Sequence, residues 1–208
     1  LRDLAGRFRF RTTILRPQMV VGGATGVAMN LVPVIGAFAA ICRELGEPFA
    51  FPGGAHYVWE TVDARLVGEV LRWAATEGAA ADQTFNVTNG DVFAWRDLWP
   101  ALADELGVEA GPDEARRLAT WLPEHAAVWD DVVRRYDLQP MSLGALVGES
   151  HHYGDYCFRY GHAEPPPFKF LSTIKLRQAG FGACYDTEDT FRYWLSQLVS
   201  RRILPPRR

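Results

Sequence analysis

Apolar residues recur at helical spacing over several long stretches of the chain, and only short extended runs lie between them. The most apolar stretch is Val27 to Cys42, and the helical pattern there runs from Asn30 to Leu45. It reads as a buried helix, with Gly46 in the stop position and Pro48 just beyond. Asp63 opens a second helix, running through Thr76, with Leu66, Val67, Val70, Leu71 and Ala74 on one face. Trp95 to Leu106 is amphipathic and stops at Gly107. Thr187 to Arg201 carries a Thr cap, acids Glu188 and Asp189 in its first turn and arginines in its last, which suits the helix dipole. The pattern also predicts helices over Asp113 to Trp121 and Glu124 to Tyr136, separated by Pro123, and over Leu171 to Ala179, stopped by Gly180. Met141 to Tyr160 has no decisive period.

The extended runs are Thr12 to Leu15, Phe49 to Phe51, Tyr57 to Val62 and Phe85 to Val87. Thr12 to Leu15 is β-branched and apolar, the signature of a buried strand, and Arg16-Pro17 is expected to end it. Gly22-Gly23-Ala24-Thr25-Gly26 reads as a flexible loop. It lacks the glycine spacing and the helix N-terminus that hold a pyrophosphate. A strand of this kind normally sits inside a parallel α/β sheet, yet almost nothing precedes it here. The few strands therefore read as members of a sheet whose other strands lie outside this chain.

Composition narrows the classes. The chain has 208 residues, 48% of them hydrophobic, with a net charge of −3. No basic stripe appears, so nucleic acid is not an expected partner. No apolar run is long enough to span a membrane. Cys42, Cys157 and Cys184 are an odd set without metal-type spacing and read as reduced thiols in a cytoplasmic protein. The seven Trp, seven Tyr and twelve Phe suit a core and also an apolar ligand pocket. His151-His152 with His162 suggests a metal, but no cysteine or carboxylate set completes a site, so none is expected.

The order of parts resembles the C-terminal half of an extended short-chain dehydrogenase/reductase of the progesterone 5β-reductase/iridoid synthase-like family. The resemblance rests on Leu15-Arg16-Pro17, Ala28-Met29-Asn30-Leu31, Phe49-Ala50-Phe51-Pro52-Gly53, Asp63-Ala64 and Trp73-Ala74-Ala75. The string Phe85-Asn86-Val87-Thr88-Asn89-Gly90-Asp91-Val92-Phe93-Ala94-Trp95 is its most specific piece, and Ala179-Gly180-Phe181 also fits. It implies an α/β fold: the C-terminal part of a Rossmann-type enzyme, with a helix-rich substrate-binding region and a few short strands. Residues 1–26 would end the dinucleotide-binding sheet, and residues 27–208 would form the substrate region. Residues 84–107 would return a strand and a helix to the Rossmann part.

By the same resemblance the complete protein binds NADP(H). It reduces the double bond of an enone or enal, or a carbonyl, in a small apolar carbonyl substrate. The phosphate loop, the catalytic Tyr and its Lys lie upstream of the Arg-Pro strand in the family. No catalytic residue is therefore expected in this chain, which alone should be inactive and needs a missing N-terminal Rossmann half. Arg16, Pro17, Gln18, Met19 and Val20 would run beside the nicotinamide. Met29, His152, Tyr153 and Phe181 would face the substrate, with His152 and Tyr153 on a loop closing over it. Asp63 is expected to cap its helix rather than take part in chemistry. A non-enzymatic ligand-binding module derived from such a reductase, or one half of a split enzyme, are the alternatives, and a homodimer is compatible with any of them.

Overall fold

The computed structural model describes residues 2–8, 10–167 and 169–207. The chain divides into two compact units: residues 1–20, 59–92 and 169–187 form the first, and residues 21–58, 93–168 and 188–208 the second. It passes from one to the other repeatedly. The strand at 84–87 lies in the first unit and the helix Trp95–Leu106 in the second.

In the first unit, strand Ile14–Pro17 pairs in parallel with strand Thr84–Val87, from Ile14 opposite Thr84 to Pro17 opposite Val87. The strand thus starts two residues later than expected and includes Arg16 and Pro17. The reason lies in the alternation of the ladder. Ile14 N–H donates to Gln83 C=O at 2.9 Å and Gln18 N–H to Val87 C=O at 3.1 Å. Position 17 falls on the opposite edge, so the donor that proline lacks is not one this ladder uses.

Helix Ala64–Thr76 buries Leu66 and Val70 against Val62, Phe85, Val87, Leu176 and Phe181. Trp73 meets Phe85 edge-on, with centroids 5.6 Å apart, and lies at the same distance from Phe181. The predicted helix over Leu171 to Ala179 shortens to Ile174–Gln178.

The turn after strand Thr84–Val87 is organised by Asn89, which is fully buried. Its Oδ1 accepts the Asp63 N–H at 2.7 Å, and its Nδ2 donates to Thr187 Oγ1 at 3.2 Å. Its own N–H donates to Thr61 C=O at 2.8 Å, and its C=O accepts the Tyr185 N–H at 3.1 Å. Asp91 then accepts both the Thr187 N–H at 2.8 Å and the Thr187 hydroxyl at 2.7 Å. Asp63 is the cap of helix Ala64–Thr76, its carboxylate accepting the Arg65 N–H at 2.7 Å. The most specific string of the sequence is thus a structural knot joining three segments distant along the chain.

The second unit is built around helix Leu31–Leu45, whose residues from Leu31 through Cys42 are all buried. Asn30 caps it, and Gly46 closes it at φ 70° with bonds back to Arg43 and Cys42. Around it the aromatic residues pack on one another. Phe49 stacks on Trp99 at 4.4 Å, Phe51 meets Phe158, and Trp95 meets both Phe158 and Phe191 edge-on. Trp99 Nε1 donates to Phe49 C=O at 3.0 Å, so the buried indole keeps a polar partner. These rings serve the core. Strand Phe49–Ala50 pairs in parallel with Ala110–Gly111.

Other local differences have local causes. The two helices around Pro123 are Leu118–Glu124 and Ala126–Arg135, with Pro123 inside the first and the break at His125. The start of that first helix is capped from afar: Asp155 accepts the Leu118 N–H at 2.7 Å and the Ala119 N–H at 3.1 Å. The unassigned stretch from Met141 forms helices Leu143–Val147 and Ser150–Cys157.

Gly53 and Gly54 lie directly on the 158–162 turn. Gly54 N–H donates to Phe158 C=O at 2.9 Å and Ala55 N–H to His162 C=O at 2.8 Å. A Cβ at Gly54 would fall 2.3 Å from the carbonyl oxygens of both Arg159 and His162.

Replacing Asn89 by Ala strands buried donors and acceptors and is expected to cost about 2–4 kcal/mol, read as a lowered urea midpoint. Gly54→Ala is expected to cost about 1–3 kcal/mol, since backbone cannot step aside as a side chain can. Gly68→Ala, in open space within helix Ala64–Thr76, should instead stabilise by about 0.5–1 kcal/mol. Thermal unfolding of the pair distinguishes a close backbone approach from ordinary helix propensity.

Candidate functional site

Two surfaces carry the residues singled out in the sequence, one in each unit. In the first unit, Arg16 to Val20 form the bend between strand Ile14–Pro17 and strand Met19–Val21. Arg16, Pro17 and Val20 are exposed, Gln18 is half-buried and Met19 is buried. The bend is held from beneath. Thr61 Oγ1 donates to Met19 C=O at 2.5 Å, and Gln18 N–H is taken by Val87. Beside Thr61, Glu60 is 7% exposed and its carboxyl accepts the Leu171 N–H at 2.8 Å. Burial raises its pKa above the ordinary carboxylate value, and the Leu171 N–H opposes the rise. What the bend offers a ligand is therefore a fixed backbone with Arg16, Pro17 and Val20 outward. That suits the edge of a flat polar ring, which needs shaped backbone more than a large pocket.

Phe181 also belongs to the first unit, in its hydrophobic core beside Trp73. It is 8% exposed. Its expected contact with substrate gives way to packing, because the residues after the Gly180 stop turn back under helix Ala64–Thr76.

In the second unit, Met29 and the His151–Asp155 cluster share one rim, and Ser150 brings them together. Ser150 Oγ donates to Val27 C=O at 2.6 Å and accepts the Asn30 N–H at 3.0 Å. This places Val27 to Asn30 against the first residue of helix Ser150–Cys157. Asn30 in turn donates through Nδ2 to Gly22 and Ala24 C=O, both at 2.7 Å, and Gly26 N–H donates to Leu146 C=O at 2.9 Å. The glycine loop expected to be flexible is thus pinned at several points. Met29 stands out at 66% exposure, an unusual setting for a long apolar side chain.

The cluster itself is helical rather than a closing loop: Ser150–Cys157 forms a helix with no proline in the run. Helical spacing separates His152, exposed and 3.6 Å from Glu149, from Tyr153, which is half-buried. Tyr153 is one turn before Cys157 and hydrogen-bonded to its side chain. Tyr57 comes to the same place from outside the helix and donates to Cys157 C=O. Burial pushes both phenols well above the tyrosine range and the Cys157 thiol up to about 12, so all three remain protonated donors at neutral pH. Neither Ser150 nor Tyr57 stood out in the sequence. A serine opening a helix is too common to signal a long-range tie, and no local pattern marks a tyrosine that reaches across a hundred residues. Among the described residues, no group of three or more His, Cys, Asp or Glu side chains is placed to hold a metal ion. None of the described helices is long and apolar enough to cross a membrane.

Comparison with known proteins bears on both surfaces. The chain is 32% identical over 202 residues to an (S)-8-oxocitronellyl enol synthase of Nepeta cataria, covering 93% of this chain and 49% of that protein. It is 30% identical over 199 residues to the enzyme of the same name from Antirrhinum majus, with the same coverage. Over 138 residues it is 35% identical to a 3-oxo-Δ4,5-steroid 5β-reductase of Arabidopsis thaliana. The chain belongs to the progesterone 5β-reductase/iridoid synthase-like family of extended short-chain dehydrogenase/reductases. It spans about half the length of the curated relatives it matches.

No protein-family model matches the chain. Solved structures agree on the fold. The terminal R domain of the myxalamid biosynthetic pathway superposes with a TM-score of 0.58, at 17% identity, over 99% of this chain and 48% of that one. Bordetella bronchiseptica WbmF, solved with NADH, gives 0.54 at 14% identity, over 95% of this chain and 49% of that one. The fold is the helix-rich α/β arrangement of Rossmann-type extended short-chain dehydrogenases.

His151 offers a test of the rim. Burial, helped by the adjacent His152, lowers its pKa below the ordinary 6.5, while Glu149 and Asp155 pull the other way. Its folded value lies below the unfolded one, so the unfolded chain takes the proton first. The stability it contributes is complete above pH 6.5 and is lost as the pH falls below that value. An NMR titration of the His151 ring should give a midpoint below 6.5, and His151→Gln should flatten the fall of stability on acidification.

Proposed function

We propose that the complete protein is a reductase that uses NADP(H) to reduce an activated alkene, an enone or enal, or a carbonyl. In this reading the present chain contributes the nicotinamide-side bend and the substrate-binding region. The observation that carries it is the Arg16–Val20 bend, clamped by Thr61 and Val87, in a chain that matches iridoid synthases along 93% of its length. The bend fits the dinucleotide's nicotinamide end: fixed backbone at Arg16 to Val20, Pro17 setting chain direction and a small exposed Val20 leaving room for a ring. When bound, the dinucleotide supplies hydride.

The residues of this chain bind and orient. Met29 gives the substrate an adaptable apolar contact, since a thioether fits irregular shapes at low cost. Tyr153, held protonated by burial, is a hydrogen-bond donor on the same rim, and His152 gives that rim a polar edge. Acid assistance to the substrate oxygen comes, by the family's pattern, from a Tyr–Lys pair upstream of the Arg16-Pro17 strand. That donor stabilises the negative charge that develops on the oxygen.

The test is made on the full gene product. It should quench on titration with NADPH and consume it in proportion to a small added enone, while the 208-residue chain alone shows no turnover. Hydrophobic-ligand binding by the full product without affinity for either reduced dinucleotide would overturn the reading in favour of a binding module.

A further inference from the structure

We infer that Ser150 is the positioning residue for Met29, and through it sets substrate affinity: its buried hydroxyl is built into the Val27–Asn30 bend that presents Met29 and holds that bend open. This deepens the reductase reading above and rests on it. Val27 and Asn30 stand three residues apart, as the pair whose C=O and N–H a β-turn joins directly. Here the Ser150 hydroxyl stands between them. It donates to Val27 C=O at 2.6 Å and accepts the Asn30 N–H at 3.0 Å. The bend is therefore wider by one oxygen atom. At its tip are Ala28 and Met29, both exposed.

The surroundings fix both ends of the bend and leave its width to this one side chain. Before it, Gly26 N–H donates to Leu146 C=O at 2.9 Å; at its end, the Asn30 side chain donates to Gly22 and Ala24 C=O. The backbone next to Ser150 closes on the same carbonyl. Gly148 lies at φ 52°, and a Cβ there would fall 2.5 Å from the Val27 carbonyl oxygen. On this support Val27, Ala28 and Met29 stand exposed in succession, an apolar run that a protein surface avoids unless it meets a ligand. With the hydroxyl removed, Val27 C=O and Asn30 N–H can bond each other directly. Their polar groups are then satisfied, but the bend narrows and Met29 moves. Thr keeps the bridging hydroxyl and Ala does not.

The experiment follows NADPH consumption by the full gene product with two probes, cyclohexenone and a 3-oxo-Δ4,5-steroid. The forms compared are wild type, Ser150→Ala, Ser150→Thr, Met29→Ala and the double variant Ser150→Ala/Met29→Ala. For the probe that wild type reduces faster, Ser150→Ala is expected to raise KM about fivefold and Met29→Ala about tenfold, as for one lost apolar contact. In both, kcat and the Kd for NADPH should stay within about twofold of wild type, since the contact is made before and during the reaction alike. Ser150→Thr should stay within about twofold throughout. The double variant should match Met29→Ala, because Ser150 acts through Met29. An unchanged KM in Ser150→Ala overturns the inference, as does NADPH affinity falling in step with KM. Effects that multiply in the double variant, or a Ser150→Thr as weak as Ser150→Ala, overturn it too. Should Ser150→Ala fail to fold, Ser150→Cys, whose thiol bridges more weakly, decides by the same criterion.

If wild type consumes NADPH with neither probe, the reductase reading fails for enones, and the bridge is judged by NMR instead. Displaced Met29 methyl and Asn30 amide signals in Ser150→Ala, restored in Ser150→Thr and with the Trp99 indole signal unchanged, support it. Unmoved signals in Ser150→Ala, or signals equally displaced in Ser150→Thr, overturn it.

Discussion

A buried amide that must find partners for both its ends is the constraint on which the first unit depends. Asn89 is closed off from water, so each of its polar atoms costs free energy unless bonded. Its partners are Thr61, Asp63, Tyr185 and Thr187, drawn from a strand, a helix cap and the approach to the last helix. Satisfying this one residue, side chain and backbone together, thereby fixes where the helix Ala64–Thr76 starts and where the chain leaves strand Thr84–Val87. It also fixes where the final helix begins. The hydrophobic cluster around Phe85 and Trp73 supplies the larger burial, but burial alone has no direction. The amide supplies the register.

The second unit solves the same problem with two smaller polar ties. Asn30 and Ser150 satisfy carbonyls and amides of the 22–30 stretch that would otherwise lie open at the head of a helix buried from Leu31 through Cys42. The consequence is functional. The stretch that carries Met29 and the helix that carries His152 and Tyr153 share one hydroxyl, so their spacing is set by hydrogen-bond length. In both units the segments singled out in the sequence have their shape fixed by buried polar residues.

Much of the local structure was legible. The helices over Leu31–Leu45, Ala64–Thr76 and Trp95–Leu106 were visible because their apolar residues recur at helical spacing and their ends carry Asn30, Asp63, Gly46 and Gly107. Asp63 as a cap could be read for the same reason. Helix Ser150–Cys157 was not legible: its run mixes histidines, tyrosines and a glycine without a clear period, and its entry is held by contacts to Val27 and Asn30 far away. Phe181 could not be separated from a pocket residue by sequence, since a buried ring and a ligand-facing ring look alike in a short apolar run. The extent of strand Ile14–Pro17 was missed because the edge on which a proline falls is decided by the partner strand.

By itself the sequence determined the element types, the helix stops and the family, because these depend on short-range periodicity, on caps and on strings such as Phe85 to Trp95. The tertiary structure alone decided which residues close the ties. Glu60 with Leu171, Ser150 with Val27, and Asn89 with Thr187 are pairs separated by tens of residues or more. No local pattern marks such a pair. A buried carboxyl, hydroxyl or amide is recognised only once folding has removed water and left it the one available partner.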